Sequence, residues 1–194
     1  TFGQISTASG NGSSTYAANV TPQAGHNTYL AFLSSDGTRP SSTNFGTNYT
    51  TRQHNYGFNS SSTVYFATAG SSNRTWNGNI DGSDGLLIVP VSNATYASSV
   101  NSSTNSKTPP NINCNAGDAV VVVLYTQDKL NPTISPPSGY TLLGRADGGT
   151  SGGSCASVFA AAKLITSSGW EYPGSWTTNA SGGQVHLSQT IRLT

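Results

Sequence analysis

Charge is what this chain has least of. Only 8% of its 194 residues are Asp, Glu, Lys or Arg; glutamate occurs once, at Glu171, and methionine is absent. The strongest helix formers are therefore scarce, which excludes a mainly helical protein. The few charges nearly cancel, at a net +1, and Arg39, Arg52, Arg74, Arg145 and Arg192 are scattered along the chain. Phosphate backbones are bound by clustered Lys and Arg, so nucleic acid is excluded as the main partner. No apolar run approaches the roughly 18 residues of a membrane-spanning helix. The longest runs from Ala119 to Tyr125, and no membrane partner is expected. The two cysteines, Cys114 and Cys155, make no disulfide framework. They are either bridged, if their strands are neighbours, or two small buried thiols.

Hydrophobic residues are also few, at 34%, against about 45–50% in an average globular chain. Disordered chains combine low hydrophobicity with high net charge, and here the net charge is close to zero. Ser, Thr, Asn and Gly take up the difference, and these residues suit turns and β surfaces. The first twenty residues, "TFGQISTASGNGSSTYAANV", carry neither a basic stretch nor an apolar one. The expectation is a leader already removed, or an initiator Met clipped before Thr1. The second route, joined to a secreted-looking composition, suits a virus particle.

Apolar and β-branched runs recur between turn-forming clusters. They read "TYLAFLSS" (28–35), "STVYFATAG" (62–70), "GLLIVPVS" (85–92), "DAVVVVLYTQD" (118–128), "YTLLGRA" (140–146), "CASVFAAAKLIT" (155–166) and "QVHLSQTIRLT" (184–194). Short strands spaced this way predict an all-β sandwich or barrel in a single domain, 1–194. Pro90 puts its strand at a sheet edge or a bulge. The triple alanine of 155–166 favours a helix, but Val158, Phe159, Leu164 and Ile165 do not share one helical face, and a strand is predicted.

The chain also repeats itself. "TPQAGHNTYLAFLSSD" from Thr21 matches "NCNAGDAVVVVLYTQD" from Asn113, and "STVYFATAGSSNRTW" from Ser62 matches "ASVFAAAKLITSSGW" from Ala156. "GLLIVPVS" from Gly85 then answers "GQVHLSQT" from Gly183. One β module written twice is the reading, with halves of about 15–100 and 101–194 and extra loop residues in the second. Trp76 and Trp170 become counterparts, both expected in the core.

A stiff corner, "SPPSGY", stands between two strands of the second half, with Pro136, Pro137, Gly139 and Tyr140 as its structural residues. The first half carries a proline and an aromatic-Gly pair in "GTRPSSTNFGTNYTT" (37–51). A feature at one place in both halves reads as scaffold, with proline narrowing the unfolded ensemble.

Chemistry is sparse. "GTSGG" (149–153) matches the nucleophile-elbow pattern at Ser151, but a strand follows where a helix is required. His26, His54 and His186 have no metal-ligand spacing, and His186 reads as a residue on the polar face of a strand. "DGSDG" (81–85) is too short for a calcium loop and reads as a turn. Six Asp and one Glu offer no distinguishable catalytic pair. No catalytic, metal or cofactor residues are assigned, and the expectation is a non-enzymatic protein. "SSGWEYPGSWTTN" (167–179) gathers aromatic residues near Asn and Ser. Tyr172 and Trp176 are its candidates for glycan contact.

"NAGDAVVVVLY", then "PTISPPSGYTLLGRADGG", then "SWTTNASGG" resembles a β module of structural proteins in tailed-bacteriophage particles and of some bacterial surface proteins. The match covers 113–194 well and 20–92 loosely. Tyr140 stands where Trp is usual, and Gly25-His26 replaces the Gly-Asp pair in the first half. The resemblance implies a jelly-roll-like β-sandwich and no catalytic residues. It also implies a place on the surface or an appendage of the particle, without separating the two; the expectation adopted is a capsid decoration protein on the virion surface, bound to the major capsid protein or other virion proteins, as a homo-oligomer. A tail or fibre component is the variant within that class. The alternative is a secreted or cell-surface carbohydrate-binding module that meets host surface glycans.

Overall fold

The computed structural model describes residues 1–9, 16–20, 25–26, 28–36, 50–57, 60–68, 74–78, 84–102, 105–127, 131–149, 155–180 and 186–194. Among them are sixteen strands and no helix, so the fold is all-β. The first half of the chain supplies β1 (Ser6–Ser9), β2 (Tyr16–Val20), β3 (Thr28–Asp36), β4 (Thr50–Gly57), β5 (Ser60–Thr68), β6 (Arg74–Gly78) and β7 (Gly85–Val91). The second supplies β8 (Tyr96–Asn101), β9 (Ile112–Cys114), β10 (Ala119–Gln127), β11 (Ile134–Ser135), β12 (Thr141–Asp147), β13 (Ala156–Leu164), β14 (Gly169–Glu171), β15 (Thr177–Thr178) and β16 (His186–Leu193). All seven runs predicted as strands are strands, including the alanine-rich β13.

Two five-stranded antiparallel sheets carry the fold, in the orders β1-β7-β3-β5-β4 and β8-β16-β10-β13-β12. The two orders correspond strand for strand, and each half adds a two-stranded ribbon, β2–β6 in one and β9–β14 in the other. A register shift falls at the same place in both outer hairpins, between Thr51 and Gln53 opposite β5 and between Leu142 and Gly144 opposite β13. The division lies between β7 and β8, because β8 pairs with β16. Pairing makes Thr28 the counterpart of Ala119, Ser60 of Ala156 and Val91 of Leu193. The sequence matches are displaced from these by a few residues. In turn-rich β sequence a slip costs little similarity, whereas bulges and sheet pairing set register physically.

The sheets pack face to face. Leu30 and Phe32 of β3 and Leu87 and Val89 of β7 meet Val121, Val123 and Tyr125 of β10 and Leu187 and Ile191 of β16 in one buried cluster. Small side chains on β13, Ala160 and Ala162, belong to the same cluster. The approach is close at Gly85, where a Cβ would sit 2.6 Å from the Ala146 carbonyl oxygen. The second sheet is covered on its other face as well. There Val120, Val122, Leu124, Phe159 and Ala161 pack under Ile112, Cys114, Tyr140, Ile165 and Trp176. Burial on both faces is why β10 reads as an unbroken apolar run rather than an alternating one.

Of the two places expected for Pro90, an edge or a bulge, the edge is excluded, because its strand is internal, between β1 and β3. The pairing is irregular beside it: Ser6 faces Ile88 and Phe2 faces Val91, so three residues lie opposite two. The ladder from β1 ends at Ile88, and Pro90 lies opposite the irregular segment before β1, whose Gly3 N–H donates to the Pro90 carbonyl at 2.9 Å. A missing N–H is tolerated there because the regular ladder has already stopped.

Candidate functional site

The proline corner is built into the covering layer of the second sheet. Pro137 is buried, and the Tyr140 N–H donates to the Pro137 carbonyl at 3.1 Å. Gly139, with φ +82, takes the third position of this turn, where a positive φ is required. Tyr140 is only 7% exposed, and its hydroxyl donates to Glu171 Oε1 at 3.0 Å. Burial, reinforced by the Glu171 carboxylate, raises the hydroxyl's pKa, so it stays a donor. Lys163 Nζ donates to both Glu171 oxygens, at 2.8 and 3.0 Å, and lies 5.7 Å from the centre of the Tyr140 ring. The corner therefore fastens β12, β13 and β14 together.

The chain's single glutamate also orients β14. Successive side chains on a strand point to opposite sides. With Glu171 turned inward to Tyr140 and Lys163, Trp170 and Tyr172 project outward, 61% and 67% exposed. Across the ribbon Trp170 pairs with Asn113, itself exposed, while Ile112 and Cys114 on either side are buried.

Two expectations change here. Trp176 is 2% exposed and packs against the second sheet, so its ring is not presented to a glycan. Its backbone N–H donates to the Lys107 carbonyl at 2.9 Å, which draws the segment inward. Trp170, expected in the core, is instead a surface residue. The side chain of its counterpart Trp76 lies outside the described residues, although both sit in the corresponding ribbons β6 and β14. Tyr172 keeps its place as an exposed aromatic.

Cys114 and Cys155 are both buried and both free. Cys114 lies before β10, near Ala119, whereas Cys155 immediately precedes Ala156, which pairs with Gln127 at the other end of β10. A nine-residue strand separates them, about 25 Å at 3.3 Å per residue, far beyond the reach of a bridge. Burial, with the Asp118 charge beside it, raises the Cys114 thiol's pKa.

Two further ion pairs tie the second half together. Asp118 accepts from the Asn115 N–H at 2.7 Å and pairs with Arg192 at 2.6 Å, which accounts for the Gly-Asp pair before β10. Arg145 pairs with Asp147 at 2.5 Å and lies 4.9 Å from the centre of the Phe159 ring. His186 does share a strand face with polar residues, Ser188, Thr190 and Arg192. That face is covered by the segment before β10: Ser188 donates to the Thr108 carbonyl and Thr190 to the Pro110 carbonyl. His186 is 3% exposed, neither ring nitrogen has a partner, and neighbouring Thr126 Oγ1 is equally unpaired. Burial, then the Lys107 cation, pushes its pKa down to about 4. The side chain of His54, the nucleophile candidate Ser151, the corner before Thr50 and most of "DGSDG" lie outside the described residues; Asp84 of that stretch is buried. Among the described residues no group of three or more His, Cys, Asp or Glu is placed to hold a metal. The outward face of β9–β14 is thus the candidate contact site, with Trp170 and Asn113 added to Tyr172. Their alternation about Glu171 was available in "GWEY", but which side faced out depended on Tyr140 and Lys163. Compared with known families, curated proteins and solved structures, the chain has no match to any family model, curated protein or solved structure.

Proposed function

We propose that the protein is a non-enzymatic accessory structural protein of a tailed-bacteriophage particle. It decorates the capsid and docks on the major capsid protein of a lattice already built. In this reading the chain is one jelly-roll-like sandwich built from two similar halves packed face to face, and the corresponding strand orders of the two sheets support the likeness of the halves.

One observation carries the docking mode. Among the described residues of the second half, six charged side chains are spent on one another, as Arg145–Asp147, Lys163–Glu171 and Arg192–Asp118, and Lys107 donates to the Ala180 carbonyl. Contact is left mainly to Ser, Thr, Asn and modest apolar area, so attachment in this reading rests on shape and neutral hydrogen bonds. Such binding is screened little by salt. Purified protein is expected to rebind particles stripped of it, about equally at low and high ionic strength. Particles lacking it should assemble yet resist heat less well. Failure of assembly without the protein would make it a major capsid component instead. Purification with detached tails, together with block of adsorption to cells, would make it a fibre component.

A further inference from the structure

We infer that the outward face of the β9–β14 ribbon, formed by Trp170, Tyr172 and Asn113, binds a neutral, linear, β-linked oligosaccharide. The inference stands whether or not the protein decorates a capsid.

Trp170 lies on β14 and Tyr172 one residue past its end, on either side of Glu171, and they are the most exposed aromatic side chains among the described residues at 61% and 67%. Two residues of extended chain span about 6.6 Å. Their orientation is held from beneath, because Glu171 between them is anchored by Tyr140 at 3.0 Å and by Lys163 at 2.8 Å. A ligand that engages both rings must be extended and must repeat flat apolar faces at that scale. A chain of pyranose rings does so, offering C–H faces for stacking and hydroxyls at the rim. Asn113, exposed and directly opposite Trp170, supplies an amide that both donates and accepts, as a hydroxyl requires.

Charge selects a neutral ligand. The ionised groups under the ribbon are already paired, Lys163 with Glu171 and Arg192 with Asp118. Single-stranded nucleic acid also stacks on aromatic rings, but its backbone needs a cationic groove, and among the described residues the cations under this ribbon, Lys163 and Arg192, are already paired. A protein partner would need about 800 Å² of complementary surface on each side, with its aromatic anchors ringed by packed contacts. These rings stand instead at the tip of a two-stranded ribbon, beside exposed Asn115, Ser167, Ser168 and Gly169. A sugar chain is small enough for such a tip.

The test titrates the purified full chain with cellohexaose, chitohexaose and mannohexaose, followed by tryptophan fluorescence and calorimetry. At least one should give saturable binding that changes little with salt. Trp170→Ala should weaken it about tenfold or more, as loss of a stacking ring does elsewhere, and Tyr172→Ala and Asn113→Ala less. Trp170→Phe should restore most of the affinity. All these variants should keep the parental melting temperature, because the side chains are exposed. The inference is overturned if none of the three sugars saturates at millimolar concentration. It also falls if a sugar binds the Trp170→Ala, Tyr172→Ala double variant undiminished. Should that double variant lose attachment to stripped particles while no sugar binds the parent, the rings belong to a protein interface. Sugar binding without any particle attachment would sustain the site and remove the decoration role.

Discussion

Trp170 and Trp176 lie in one short stretch of sequence and meet opposite surroundings. Nothing in their local composition separates them; the difference is that Trp170 alternates outward from an anchored Glu171, while Trp176 is drawn in by its bond to Lys107. Trp176→Ala is expected to lower unfolding free energy by about 3–5 kcal/mol, and Trp170→Ala by less than about 0.5 kcal/mol, both measured by urea titration. His186 gives a second contrast at this scale. Its folded pKa of about 4 lies below the ordinary value of 6.5. Between those values the unfolded chain holds more protons than the folded one. Stability contributed by the neutral ring is therefore complete above about pH 6.5 and is lost as pH falls toward 4. Urea midpoints should drop between pH 7 and pH 5, and His186→Gln should flatten that drop. An equal drop in both proteins would show that other groups carry it.

At the scale of elements, the corner from Ile134 to Tyr140 stabilises by preorganisation and by what it fastens. Replacing Pro136 and Pro137 with Ala should lower the melting temperature, through an entropic contribution of roughly 0.4–1 kcal/mol per proline. Attachment to particles should survive in the variant that still folds. A variant as stable as the parent that no longer attaches would make the corner a contact surface. The stiff turn itself was legible from its proline pair and glycine. Its tie to β13 and β14 was not, because Tyr140, Lys163 and Glu171 are distant in sequence and converge only through strand pairing. The strands themselves were legible because apolar and β-branched runs bounded by Gly, Ser, Asn and Pro leave few other folded options.

At the scale of the molecule, the two sheets bury one cluster between them, and each is the other's cover. Residues 96–194 made alone would expose Val121, Val123, Leu187 and Ile191. They are expected to aggregate or to self-associate through that face, as seen by size-exclusion chromatography. A monomeric, cooperatively melting half would show that the cluster between sheets is dispensable. Composition and periodicity were sufficient for the all-β class and for the strand runs, because alternation and turn chemistry act over a few residues. Register, the inward turn of Trp176, the outward turn of Trp170, the internal place of Pro90 and the separation of Cys114 from Cys155 were decided only by tertiary structure. Each depends on which strands lie side by side and which face is covered, and those are contacts between residues far apart in the chain.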